Sequence, residues 1–472
     1  MPKAGIQRVQ DSVHGLMEFK GMESLIIELL RTPEIQRLRR IRQMGLACLV
    51  FPGAEHSRFV HSLGASHLAI RFGLQLRDAS RGFLVDVLRP NEEAIRDFSV
   101  AALCHDLGHG PLSHAWEANV IGSEEGTMEK WKKGLNVPDT GAKNEIVKWH
   151  ELVTDALLAD SEGRLHKLLE QYESGFSDRL RHLLRGDYYL KYLPRLLRSD
   201  IDIDRAEYLM RDSYHCGVKY GVYDLEWLLS TLTIGTFDKG QFAVGFDERK
   251  SLRIVEQFLR ARRAMYEAVY YHKTIRCVEG MMGLFLKRLK IVQEDIKAKL
   301  PNLLSPFIRV LSGEILTPAE ILALDDFALW VLVQNVADIA EIDPTVHDLA
   351  ERILSRQLFK MIHVEPQRLQ EFLIQRNAYE ELYEIVRPYC AGDPKYYVLV
   401  DEVEFEMFAS EKLQSALFID PSIDERPASR VRDHEKLRKD WEKKSSLVRL
   451  FAVPEAVSKI KDHINSRTAT RA

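Results

Sequence analysis

Apolar residues recur every three or four positions through most of this chain, and that period commits it to helices packed on one another. Leu25, Ile26, Leu29 and Leu30 are followed by Ile35, Leu38 and Ile41, with Arg and Gln filling the face between. Thr32-Pro33 opens the second of these segments, with Pro where a first helical turn tolerates a missing N–H. The same period runs through 95–106, 152–172, 178–197, 204–212 and 250–292. Strand signals are few. Residues 231–247 read as a hairpin about Asp238-Lys239-Gly240, and Tyr396-Tyr397-Val398-Leu399-Val400 leads into an alternation at Val403, Phe405 and Met407. The fold expected is predominantly α, with a large helical core, a small β-hairpin and a smaller mixed α/β region at the C-terminal end.

Pro301 and Pro306 interrupt the helical pattern, so the expected division is a core over 1–295 and a mixed region over 296–472, the latter a candidate for oligomerisation or regulation. The segment 121–145, with Gly122, Gly126, Gly134, Pro138 and Gly141, reads as a long loop. Residues 432–444 hold ten charges in thirteen positions with both signs mixed, which reads as a solvated helix or tail. Across 472 residues, 66 Lys+Arg against 70 Asp+Glu leave a net charge of −4, so nucleic acid is not an expected partner. Five scattered cysteines, none in a Cys-x-x-Cys pair, suit a reducing compartment. The first residues carry no apolar leader, and no run of about 18 uncharged apolar residues could span a membrane. A cytoplasmic protein with no membrane partner is expected.

The chemistry concentrates in Ala101-Ala102-Leu103-Cys104-His105-Asp106-Leu107-Gly108-His109-Gly110-Pro111-Leu112-Ser113-His114. A His-Asp pair alone means little, and His347-Asp348, with no histidines around it, reads as surface. The first pair differs because it ends an apolar helical run, two more histidines follow, and Gly108, Gly110 and Pro111 break the helix beside it. His105 and His109, four apart, would share a helical face if the helix persisted that far. Imidazoles with carboxylates suit Mn, Fe, Zn or Ni. Two segments can complete a shell: one turns at Pro52-Gly53 and then enters a helix with Arg58 and His61, and the other places Asp204, Tyr208 and Asp212 on one helical stripe. On spacing alone, a bundle with buried polar residues and capping aspartates stays open as the competing reading.

His61, His105-Asp106 and Asp204 together resemble the H…HD…D pattern of the HD-domain metal phosphohydrolases. Longer strings narrow the resemblance to the deoxynucleoside-triphosphate triphosphohydrolases within them. These are Asp11-Ser12-Val13-His14-Gly15, Thr32-Pro33-Glu34-Ile35-Gln36-Arg37-Leu38-Arg39, Phe51-Pro52-Gly53-Ala54, the stretch His105 to His114, and Tyr270-Tyr271-His272-Lys273. The resemblance is close over about residues 6–290 and looser beyond.

The resemblance implies one divalent transition metal per subunit on His61, His105, Asp106 and Asp204, with Mg accompanying the nucleotide phosphates. It implies a substrate pocket of Gln43, Met44, Arg58, Arg205, Tyr208, Asp212, Arg262, Tyr270 and Tyr271. There Arg58, Arg205 and Arg262 would face phosphates, Asp212 the sugar 3′-hydroxyl, and Tyr270 the space a ribose 2′-hydroxyl would need. Arg205 stands where the mammalian member carries Lys, a like charge with a different hydrogen-bonding shape. His109, His114 and His150 would line the same pocket. His114, oriented by Glu117, is the expected proton donor to the leaving 5′-oxygen, with His150 its rival. Residues 251–290 support the phosphate reading independently, with nine Lys/Arg against three Glu.

The family's effector site is less well matched. Gln36 and Arg39 stand at expected positions, but Arg31 replaces the aspartate that reads guanine, and a guanidinium cannot accept guanine's N–H donors. GTP activation in the mammalian manner is therefore expected to be absent, with either another nucleotide serving or no effector needed, and a homo-oligomer (dimer or tetramer) is implied. The function expected is hydrolysis of dNTPs to deoxynucleoside and inorganic triphosphate. The alternatives are an HD phosphohydrolase acting on other nucleotides or phosphate monoesters, and a non-catalytic nucleotide sensor or nucleic-acid binder.

Overall fold

The computed structural model describes the chain apart from residues 1–5, 80–88, 123–125, 138–147, 238–240, 300–304, 340, 406–415, 423–425, 438–444 and 470–472. Helices dominate. The Arg58–Ala79 helix runs through the middle of the core, buried around most of its circumference, which explains its lack of a one-sided apolar pattern. The Glu92–Cys104 and Ile203–His215 helices pack along it. Asn91 caps the first by accepting the Ala94 amide at 2.8 Å, and Asp202 caps the second by accepting that of Arg205 at 2.7 Å.

The expected hairpin forms between Leu232–Phe237 and Gln241–Asp247, its turn lying outside the described residues. Leu417–Ile419 joins it in parallel and Ala428–Arg430 extends the sheet. A second sheet pairs Ser445–Ala452 with Val398–Phe405 and Lys360–Met361. Tyr396 and Tyr397, read as strand, precede it in a 3-10 turn and its capping residue, and Met407 lies outside the described residues. Sequence reading missed a third element, the N-terminal hairpin Gln7–Asp11 with Gly15–Phe19. One contiguous apolar core reaches from Met17 to Ile464, so the region after residue 295 shares a core and a sheet with the region before it.

The segment 121–145 is not simply a loop, because Thr127–Gly134 is helical. Its glycines read as punctuation, yet Gly134 packs on Ile315 and Trp131 is buried edge-on against Trp149, centroids 5.5 Å apart. His347-Asp348 lies on the Pro344–Leu354 helix, where Asp348 pairs with Arg352 at 2.7 Å. Of the charged segment 432–444, residues 438–444 lie outside the described residues. No helix among the described residues is long and apolar enough to cross a membrane.

Trp131 is the anchor of the 127–134 helix, so Trp131→Ala is expected to destabilise the protein by about 3–5 kcal/mol through the cavity it leaves. Urea unfolding followed by circular dichroism measures this, and a loss under about 1 kcal/mol would mean the helix is not docked on Trp149.

Candidate active site

The Glu92–Cys104 helix ends where its sequence passes from alanine and leucine to histidine, aspartate and glycine, and His105 is its capping residue. His105 and His109 therefore share no helical face, contrary to the expectation from their spacing. A methyl group at Gly108 would stand 1.9 Å from the His150 carbonyl oxygen, so only glycine lets this turn lie against the Trp149–Ala159 helix. The Gly108 amide donates to Thr154 Oγ1 at 2.9 Å. Arg37, fully buried, donates to the carbonyls of Leu107 at 3.0 Å, His109 at 2.8 Å and Leu324 at 2.6 Å. Burial lowers its pKa to about 10, which leaves it cationic at neutral pH.

Three helices bring the four metal candidates to one corner. Ligand atoms of His61, His105 and Asp204 lie within 4.8 Å of one another. Asp106 flanks them, with Oδ2 3.6 Å from His61 Nε2 and Oδ1 3.3 Å from His105 Nε2. His61 Nδ1 donates to Glu207 Oε2 at 2.6 Å, and His105 Nδ1 donates to the Ala102 carbonyl at 2.7 Å. Each ring is thus left with Nε2, and both buried Nε2 atoms face Asp204 Oδ1, at 3.1 Å from His61 and 3.5 Å from His105, without a well-formed hydrogen bond. Such atoms cost about 1–3 kcal/mol each if nothing meets them. A divalent cation would meet both, and two imidazoles with two carboxylates are a donor set for a borderline transition metal.

Charge is arranged to keep the carboxylates ionised. Burial opposes ionisation of Asp204, but His105 and His61 lower its pKa, and Arg58 does the same for Asp106 through a direct ion pair. Burial likewise opposes a charged His61, yet the Asp204 and Glu207 carboxylates raise its pKa to about 10. A proton then occupies the corner wherever a cation does not.

Behind His61 lies a support that sequence reasoning missed. Glu207 accepts from His61, from His14 Nε2 at 3.0 Å and from Arg211 Nε at 2.7 Å, and Arg211 also reaches Asp11 at 3.1 Å. Asp11 in turn accepts the amides of Val13 and His14, so the Asp11–Gly15 string shapes the hairpin turn that braces Glu207. A methyl group at Gly64 would stand 2.1 Å from Glu207 Oε1, which makes that position a window through the central helix. The readable signal was Glu207 and Arg211, four apart on the helix that carries Asp204.

A second group, His109, His114, Glu117 and His150, also has its polar atoms within 4.8 Å. His109 Nε2 joins it to the first, 3.3 Å from Asp106 Oδ1. His109 and His150 stack at 4.1 Å. Glu117, expected to orient His114, instead accepts from His150 Nδ1 at 2.6 Å. His114 keeps an exposed edge, yet desolvation of the ring against the protein and the charge of Arg58 lower its pKa to about 4.

The remaining pocket candidates are held as follows. Arg58 is buried between Asp106 and Ser113 Oγ, the latter at 2.9 Å. Arg205 pairs with Asp202 and the Ser199 carbonyl, leaving its buried Nε without a hydrogen bond. Tyr270 donates to Asp212 Oδ2 at 2.8 Å, while His56, unforeseen, holds the other Asp212 oxygen at 2.8 Å. Tyr208 and Tyr270 meet edge-on at 6.1 Å, and Tyr271 packs on Tyr266. The Arg262 guanidinium lies 5.8 Å from the Tyr266 ring centre. The Gln43 amide donates to the His56 carbonyl, and Met44 sulfur lies 3.6 Å from Cys216 Sγ. The effector candidates stand apart. Arg31 and Arg39 are exposed, and Gln36 is hydrogen-bonded to Arg39 and to the Leu30 carbonyl.

A helical corner that offers two buried imidazole nitrogens between carboxylates, beside guanidinium groups, is a donor set able to hold a divalent cation next to an anion. Residues 58–211 match the family model described as "HD domain". The chain is 31% identical over 397 residues to the uncharacterized protein YwfO of Bacillus subtilis, covering 83% of this chain and 78% of that one. It is 25% identical over 446 residues to the deoxynucleoside triphosphate triphosphohydrolase SAMHD1 of Bos taurus, covering 90% and 68%. A crystal structure of a phosphohydrolase from Bacteroides thetaiotaomicron superposes with a TM-score of 0.72 over 95% of this chain and all of that one, at 24% identity. The chain belongs to the HD-domain phosphohydrolases.

Because a proton held by His61 must leave before a cation enters, metal affinity should rise with pH, about tenfold per unit for each proton displaced. Titration calorimetry with Mn or Zn between pH 6 and 9, in buffers of different ionisation enthalpy, reads the released proton directly. An affinity flat across that range would contradict the pairing of His61 with Asp204 and Glu207.

Proposed function

We propose that this chain hydrolyses deoxynucleoside triphosphates to the deoxynucleoside and inorganic triphosphate. The observation that carries the reading is the pair of buried Nε2 atoms of His61 and His105, which make no hydrogen bond and face the Asp204 and Asp106 carboxylates, with Arg58 paired to Asp106 beside them. His61, His105, Asp106 and Asp204 would hold the metal, which when bound supplies Lewis acidity toward phosphoryl oxygen and water. A triphosphate brings about four negative charges, and the corner's own carboxylates already offset a divalent ion. Arg58, Arg205 and Arg262 are therefore the groups that meet the phosphates. Asp212, fixed on both oxygens by Tyr270 and His56, faces the sugar hydroxyl, and the Tyr270 ring fills the space beside it.

The leaving 5′-oxygen needs a proton. His114, which keeps an exposed edge, is the donor in this reading, with the Glu117–His150 pair beside it. The similarity to SAMHD1 supports the substrate class, and YwfO, the nearer relative in identity, carries no activity in its name. Residues 1–295 would supply the catalytic core and 296–472 an oligomerisation or regulatory region. Gln36 and Arg39 would serve a nucleotide effector other than GTP, since Arg31 cannot accept guanine's donors.

Incubation of the purified protein with each dNTP and Mn, Fe, Zn, Ni or Mg, followed by ion-exchange chromatography, should yield deoxynucleoside and intact triphosphate, with no requirement for GTP. Monophosphate, diphosphate or turnover of phosphate monoesters alone would favour the wider phosphohydrolase reading.

The pH profile tests the proton donor. His114 must be protonated to act, so activity falls as pH rises through its pKa. Bound triphosphate offsets the charge of Arg58 and raises that pKa. The limb seen in kcat should accordingly lie at higher pH than the limb seen in kcat/KM, and His114→Ala should abolish it.

A further inference from the structure

Leu112 and Ser113 are consecutive non-glycine residues with left-handed backbone, φ of 55° and 56°. They form the corner between the His105–His109 turn and His114. Only a specific restraint holds such a corner, and here it comes from far along the chain. Asp326, the first residue of the Asp326–Asp338 helix, is 3% exposed. Its Oδ1 accepts the Leu112 amide at 2.8 Å and its Oδ2 accepts the Arg42 amide at 2.9 Å. Its neighbours act on the same place. Asp325 pairs with Arg40 at 2.5 Å, and the Leu324 carbonyl accepts from Arg37, which also binds the carbonyl of His109. On the other side of the corner, Ser113 Oγ accepts from Arg58 Nε. The path from Asp326 to Arg58 is thus one amide, two strained residues and one hydroxyl.

We propose that Asp326 is a positioning residue for phosphate binding, which through the Leu112 amide sets the corner that presents Ser113 to Arg58 and so fixes where Arg58 meets the substrate. The inference rests on the proposed function for the identity of the ligand, a polyphosphate, and for Arg58 as the group that meets it. A carboxylate suits this place because both groups that face it are N–H donors, and an amide would turn its own donors against one of them.

Three variants test it: Asp326→Asn, Ser113→Ala and the double variant. The probe is inorganic triphosphate, titrated calorimetrically into metal-loaded protein, with dNTP hydrolysis measured alongside. Asp326→Asn and Ser113→Ala should each weaken triphosphate binding by about tenfold. The double variant should lose no more than the worse single, because both lie on one path. KM for hydrolysis should rise with kcat less affected, while metal content stays at wild-type level. A purely structural role would lower the melting temperature and leave triphosphate affinity and KM unchanged, and that result overturns the proposal. Should Asp326→Asn not fold, unchanged affinity in Ser113→Ala overturns it equally. If the wild type hydrolyses no dNTP yet the variants bind triphosphate more weakly, the substrate reading fails and the positioning role stands.

Discussion

The hydrogen bond from His61 Nδ1 to Glu207 is the contact on which the corner depends, because it decides which nitrogen faces inward. A neutral imidazole has one donor and one acceptor nitrogen, and a fixed carboxylate partner removes the choice. Glu207 can play this part only because Arg211 and His14 share its charge, and Arg211 is shared in turn with Asp11. Removing one member of such a buried set typically costs about 3–5 kcal/mol, since the other charge is left without compensation. The orientation of one metal candidate is thereby tied to the N-terminal hairpin, the central helix and the Asp204 helix at once.

Much of this was legible before any coordinates. The four corner residues stand in runs whose period is unmistakable, and the break after Cys104 is spelled by Gly108, Gly110 and Pro111. The hairpin at 232–247 was readable from β-branched alternation, whereas the N-terminal hairpin was not, because Arg8, Gln10 and Glu18 dilute a signal only five residues long on each strand. The residues behind the corner escaped for a different reason. Glu207, Arg211, Asp11 and Asp326 are charged residues in buried positions, and composition and period place charged residues outside. What puts them inside is pairing between groups distant in sequence, Asp11 with Arg211 across 200 residues and Asp326 with the Arg42 amide across 284. The pairing of Glu117 with His150 rather than His114 is likewise tertiary. It follows from the 149–159 helix lying close enough to demand glycine at position 108.

The region after residue 295 reaches the HD turn through the stretch Leu324–Asp326. Leu324 and Asp326 supply an acceptor to Arg37 and two to backbone amides, and all three lie on the strained side of the HD turn. The same short stretch holds Arg40 through Asp325, a few residues from Gln36 and Arg39. A displacement of the Asp326–Asp338 helix would therefore be felt at both the 36–40 segment and the Leu112–Ser113 corner. On the proposed reading, that is a physical link between the candidate effector residues and the HD turn that requires no contact between them.

On the proposed reading, the charge arrangement also bears on which ligands the cleft favours. Its phosphate-facing guanidiniums include two that are partly satisfied already by carboxylates, Arg58 by Asp106 and Arg205 by Asp202. A carboxylate partner discounts what each offers to an incoming anion, so a ligand with a single charge gains little by entering. A triphosphate engages three cations together, and its several charges can outweigh the discounts that a monoester cannot. Asp202 sharpens the effect: burial raises its pKa to about 6, so near neutrality it is ionised at a cost that a phosphate bound to Arg205 would increase. Protonation of Asp202 would then accompany anion binding. Selectivity for polyphosphates would in that case come from the carboxylates beside the arginines as much as from the arginines themselves.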